Sequence, residues 1–225
     1  SIDPPTTFDA LGAGAILPPR IVDAEARSRA AYGQVSWRPN RFDERLELTL
    51  GGRYTEDKKI ASRFEASLSQ SRQDSDNLDG SIALQYQWQD DLSTYLKWGT
   101  AYKAGGVNTR SASFGAFEEE VAKTWEVGVK SEFWDHRARV NLAVFTTDYE
   151  DMQLDFSDPV TVTVVETINA SETVEISGAE MDITLSPISG LLLGLSYTYL
   201  DSDMPLQPNP LSDGELKKFF VPLAP

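Results

Sequence analysis

Few side chains in this 225-residue chain have the type and spacing to do chemistry. His136 is the only histidine and follows Asp135, a pair able to pass a proton. No serine or cysteine nucleophile context accompanies it, so it reads as a surface turn and no catalytic residue is assigned. Glu118, Glu119 and Glu120, and the set Asp148, Glu150 and Asp151, offer the hard oxygen ligands that calcium prefers. Neither run has the Asp-x-Asp-x-Asp-Gly spacing of a dedicated cation loop. Both read as solvated charge at strand ends, and no metal or cofactor is assigned. Gly105-Gly106-Val107-Asn108 has the glycines of a phosphate-cradling loop but neither the following helix nor a Lys-Ser or Lys-Thr pair. The absence of cysteine excludes disulfides, thiolate nucleophiles and Cys-ligated metal. A formal charge of −15 argues against sequence-independent binding to nucleic acid, which needs cations to replace phosphate counterions.

The elements that carry these residues alternate with a period of two. Val121, Trp125, Val127, Val129 and Phe133 share one parity, and Ala122, Thr124, Glu126, Gly128, Lys130 and Glu132 the other. Side chains alternate across a strand, so this is a ribbon with one apolar and one charged, small-residue face. After Trp134 to Arg137, Ala138, Val140, Leu142 and Val144 oppose Arg137, Arg139, Asn141 and Ala143, which makes a hairpin of membrane-spanning length. The same pattern predicts strands over 28–37, 46–54, 82–88, 92–102, about 174–185 and 191–199. Glu126, Lys130, Arg137, Arg139, Glu180 and Asp182 then fall on inward faces of neighbouring strands, as wall ion pairs or as contacts to whatever fills the interior. Residues 55–76 read as a long polar loop whose flanks extend the strands, and Val160 to Val165 as a further strand beyond a loop.

Connections alternate short and long. Trp37, Trp88 and Phe133 precede short turns, whereas Tyr54, Tyr102 and Tyr199 precede long loops, all on the apolar parity. Aromatic side chains at both ends of an apolar band are the signature of two membrane interfaces. No apolar run approaches the ~20 residues of a transmembrane helix, and mean hydropathy is below zero. In a barrel only every second residue meets lipid, which dilutes that signal. A soluble β-sandwich also alternates, but should bury bulky residues at nearly every inward position. Here the second face mixes small residues with Glu, Arg, Lys and Gln, which suits a hydrated or plugged lumen.

Several stretches, in order, resemble the barrel strands of TonB-dependent outer-membrane receptors. They are Leu50-Gly-Gly-Arg-Tyr-Thr-Glu-Asp-Lys58, Ala101-Tyr-Lys-Ala-Gly-Gly-Val-Asn108, the Glu118 to Glu120 run with Trp125 to Lys130, Asn141 to Gln153, and Ile176-Ser-Gly-Ala-Glu-Met-Asp-Ile183. The expected fold is all-β: an antiparallel up-and-down transmembrane β-barrel segment of about eight strands, part of a larger barrel. Residues 1–27 are expected as an extracellular loop or extension, 28–200 as the barrel segment, and 201–225 as an extracellular loop and the start of a further strand. The resemblance implies a complete barrel of ~22 strands, a plug domain in the same full-length chain, and the periplasmic partner TonB. It also implies outer-membrane lipid around the wall, a bacterial outer-membrane location, and active import of a scarce small-molecule solute, of ferric siderophore type first, with haem, cobalamin and oligosaccharides as the family's other typical solutes. By analogy, Tyr102, Lys103 and Asn108 are ligand-contact candidates. A passive porin or adhesion barrel, and a secreted carbohydrate-binding β-sandwich, are the rival readings.

Overall fold

Alternation of the kind just described leaves one face of each strand to be covered by something other than the strand itself. The computed structural model describes residues 21–64, 67–111, 115–157, 165–211 and 216–217. Their strands are β1 (Ile21–Trp37), β2 (Leu46–Phe64), β3 (Leu68–Gln89), β4 (Leu92–Lys103), β5 (Gly106–Val107), β6 (Ala116–Phe117) and β7 (Glu120–Phe133). There follow β8 (Ala138–Glu150), β9 (Gln153–Ser157), β10 (Val165–Asn169), β11 (Val174–Leu185), β12 (Leu193–Asp203), β13 (Gln207–Pro208) and β14 (Leu216–Lys217). Eight of them form one antiparallel sheet in the order β1-β2-β3-β4-β7-β8-β11-β12, each main strand beside the next in sequence. This is an up-and-down transmembrane barrel wall. Of the remaining antiparallel pairs, β5-β6 lies between β4 and β7, β9-β10 between β8 and β11, and β13-β14 after β12.

Register carries the alternation across the whole sheet. Trp37, Leu48, Leu84, Leu96, Val127, Val144, Ala179 and Tyr199 are successive cross-strand partners, a single apolar row over eight strands. The row just across the pleat reads Glu47, Gln85, Tyr95, Gly128, Ala143, Glu180 and Thr198. The large side chains of the apolar face are exposed rather than packed: Leu84 is 41 %, Val127 48 % and Leu195 57 % accessible. Among the described residues no protein layer covers them, which is the arrangement of a lipid-facing wall.

The buried apolar cluster lies elsewhere. Met152, Leu154, Phe156, Ala170, Val174 and Met204 pack together at the loop end, with Tyr149, Ile168, Ile176 and Leu211 around them. Met152, Leu154 and Phe156 alternate with polar neighbours, so one face of β9 closes over the strand tops.

The structure corrects four expectations. Residues 21–27 are strand, so β1 begins well before Ser28; residues 1–20 lie outside the described residues. The stretch 55–76 is mainly a continuation of β2 and β3, whose pairing runs on to Phe64 opposite Leu68. These strands have 19 and 22 residues, about twice what a tilted strand needs to cross a membrane. Pairing persists there because backbone hydrogen bonds satisfy both strands without any apolar face. Arg137 is not on a strand: its backbone N–H closes the turn by donating to the carbonyl of Trp134. Tyr102 leaves the apolar face, as described below. Of the strand expected at Val160 to Val165, residues 160–164 lie outside the described residues, and Val165 opens β10.

Candidate functional site

The polar face of the sheet forms the inner wall. Tyr95 stretches across Gly128 and donates to Glu126 Oε1 at 2.6 Å, while Lys130 Nζ stands 5.3 Å from the centre of its ring. Lys97, opposite Glu126 in register, has its ammonium 4.0 Å from the second carboxylate oxygen. Nearer the short turns Glu132 accepts from Arg139 Nε at 2.8 Å and shares a 2.7 Å contact with His136 Nδ1. The histidine is thus held by a carboxylate in an exposed turn. Asp182 accepts from Ser196 at 2.6 Å, and Glu180 lies between Ala143 and Thr198. Glu126, Lys130, Arg139, Glu180 and Asp182 all sit on this face, mostly as local ion pairs and hydrogen bonds; Arg137 does not join them.

At the loop end β4 stops pairing with β3 after Gly99, opposite Ser81, yet continues beside β7 to Lys103. Freed from β3, it turns its side chains toward the polar side of the β2-β3 extension. Thr100 donates to Asp79 Oδ1 at 3.2 Å, and Tyr102 donates to Asp57 Oδ2 at 3.0 Å. Tyr102 is therefore an inner-wall residue rather than part of the interface belt. A concavity of about 560 Å³ opens here, lined by Tyr32, Arg53, Asp57, Asp79, Thr100 and Tyr102 among others.

The described parts of the connection between β4 and β7 reach this concavity at Ala104 and are fastened on two sides. Toward β2 and β3, Lys59 Nζ donates to the carbonyl of Ala104 at 3.4 Å, Arg63 to that of Ser111 at 2.5 Å, and Gln73 to Glu118 at 2.9 Å. Toward β9 and β10 the fastening is made by amide side chains. Asn108 donates to the Thr167 carbonyl at 2.8 Å and accepts from the Thr167 N–H at 2.7 Å, imitating a rung of β-ladder. Asn169 Nδ2 donates to the carbonyls of Glu118 and Asp151, and its Oδ1 accepts from the Glu118 N–H. Gln153 Nε2 donates to Ala104 at 3.2 Å and Glu118 at 3.0 Å, and its N–H reaches Glu120. A β-carbon on Gly105 would stand 2.4 Å from the Phe117 carbonyl oxygen, so this fold of the loop admits only glycine there.

The three ligand-contact candidates consequently separate. Asn108 is 6 % exposed, with both amide ends engaged by the Thr167 backbone. Lys103 is exposed beside Glu120 at 3.9 Å. Tyr102 alone lines the concavity. Tyr32, Asp57, Asp79, Gln153 and Asn169 were not among the candidates; the long-range partners of the last four lie 18 to 51 residues away, and of the five only Gln153 closed a quoted motif.

An eight-stranded meander with one exposed apolar face and one polar, ion-paired face defines the class: a segment of transmembrane β-barrel. A family model described as "TonB dependent receptor-like, beta-barrel" matches residues 2–221, and the chain belongs to that family. Solved structures share the fold at low identity. The ferric yersiniabactin uptake receptor FyuA from Yersinia pestis superposes with a TM-score of 0.68 at 22 % identity, over 82 % of this chain and 28 % of that one. The siderophore receptor PiuA from Acinetobacter baumannii gives 0.65 at 19 %, over 87 % and 28 %. The alcaligin outer-membrane receptor FauA from Bordetella pertussis gives 0.61 at 17 %, over 88 % and 32 %. The chain thus spans about three-tenths of the length of each.

Proposed function

We propose that this chain is part of the barrel wall of an energy-coupled bacterial outer-membrane receptor that imports a scarce solute, of ferric siderophore type. The observation that carries this is the pairing of an exposed apolar row over eight strands with a polar wall ending in a concavity at the loop end. Membership of the TonB-dependent receptor family supports it. In this reading outer-membrane lipid covers the apolar face. A plug domain of the same full-length chain meets the inner ion pairs, and TonB transmits the driving force through the segment that joins the plug. The wall does no bond chemistry: it excludes lipid, holds the loops, and presents polar groups to solute and plug.

The test is uptake by cells that depend on the full-length receptor. Iron delivered as a ferric siderophore should enter only while the proton-motive force is intact, and a protonophore should stop it. Uptake that persists without that force, or a full reading frame with no plug, would instead favour a passive porin.

A further inference from the structure

We propose that the concavity between β1 and β4 is a solute-contact site for an uncharged or cationic polar face, and that it disfavours trianionic chelates. This rests on the receptor reading above and adds a charge preference to it.

Carboxylates on the inner wall are partnered in two different ways. Near the short turns they meet cations: Glu47 takes Arg38 at 2.6 Å, and Glu132 takes Arg139 at 2.6 Å. In the concavity they meet neutral donors. Asp57 accepts from the Tyr102 hydroxyl, and Asp79 from the Thr100 hydroxyl and from Asn77 Nδ2 at 2.8 Å. A hydroxyl or amide donor stabilises a carboxylate without cancelling its charge, so the field of both groups reaches into the cavity. Arg53 is the lining cation, opposite Asp79 in register, with its Nε donated to Thr55. Lys59, the next inward residue after Asp57, is turned to the Ala104 carbonyl and does not line the space. Among the described residues the lining therefore holds two carboxylates against one guanidinium.

Its shape also suits a ligand. Gly51, Ser81 and neighbouring small residues keep that part of the lining low, and Tyr102 is fixed by its hydrogen bond to Asp57. Tyr32 stands 82 % exposed on this polar face, and its hydroxyl has no partner among the described residues. Its in-register neighbour is Arg53, with Asp79 one strand further on. An aromatic ring displayed in the same concavity as two carboxylates offers stacking and cation–π contact to a cationic group.

The experiment uses the intact receptor and two ferric probes: a trihydroxamate bearing one protonated amine arm, and a trianionic tris-catecholate. The wild type should bind the cationic probe more tightly. Asp79→Asn should narrow that preference about fivefold or more, with an unchanged unfolding temperature, and Tyr32→Ala should weaken the cationic probe. Tighter binding of the trianion by the wild type, or an unaltered ratio in Asp79→Asn, overturns the charge preference while leaving the import reading intact. Failure to bind any ferric chelate overturns both.

Discussion

The ring of Tyr95 lies over Gly128, its in-register partner on β7, so closely that a β-carbon at position 128 would stand 2.4 Å from a ring carbon. The missing side chain lets the phenol cross one strand and reach Glu126. Gly128→Ala should force the ring away and destabilise the receptor by about 1–3 kcal/mol, the usual range for overpacking. Tyr95→Ala in the same chain should recover part of that loss. Thermal unfolding of the detergent-solubilised receptor measures both, and an unchanged transition in Gly128→Ala would contradict the contact.

Asn108 holds two loops together through the backbone of Thr167. Asn108→Ala leaves a carbonyl and an N–H without their partners, a local loss of about 1–3 kcal/mol. Hydrogen exchange should accelerate around 103–111 and 165–169 and stay slow in the eight wall strands. Asn108→Asp should be more damaging, because a carboxylate oxygen would then face the Thr167 carbonyl.

The turn between β7 and β8 places three successive non-glycine residues at positive φ: Trp134 at 57°, Asp135 at 51° and His136 at 63°. Left-handed backbone costs an L-residue roughly 1–2 kcal/mol, least for Asp and Asn and most for β-branched side chains. Asp135→Gly should therefore be tolerated and Asp135→Val should lower the unfolding temperature. Equal transitions for the two variants would refute the assigned turn geometry.

On the β3 extension, Arg72 donates through Nε to Asp74 at 2.7 Å, and this hydrogen bond holds the Asp74 carboxyl below the usual carboxylate range. A depressed folded pKa means that the pair's contribution is present above the unfolded value of about 3.9 and is lost as pH falls through the lower folded value. Both groups are exposed, so the contribution is small and screened by salt. Unfolding temperatures of wild type and Arg72→Gln should differ slightly at neutral pH and converge in acid. A large difference at neutral pH, or one that grows in acid, would count against the pair.

The eight wall strands were legible because each has to satisfy lipid on one side and water on the other, and Leu48, Leu84, Val127 and Leu195 state that requirement in the chain itself. Where neither side is lipid, the requirement vanishes. The Ser-rich run at the end of the β2-β3 hairpin pairs as well as the wall does, but nothing in its composition distinguishes paired from unpaired backbone. Parity misplaced Tyr102 for a related reason: it assumes that a strand keeps both neighbours, and β4 loses one at Gly99. The roles of Asn108 and Gln153 depend on carbonyls up to 59 residues away, a distance over which residue spacing carries no information.

That separation also dictates an order of events. The rung between Asn108 and Thr167 joins points flanking β7 and β8, so it cannot close until the intervening hairpin has been threaded through the bilayer. Local hairpins mature first and the long-range clasp last. A receptor caught during insertion would thus present a finished wall under an unlatched canopy.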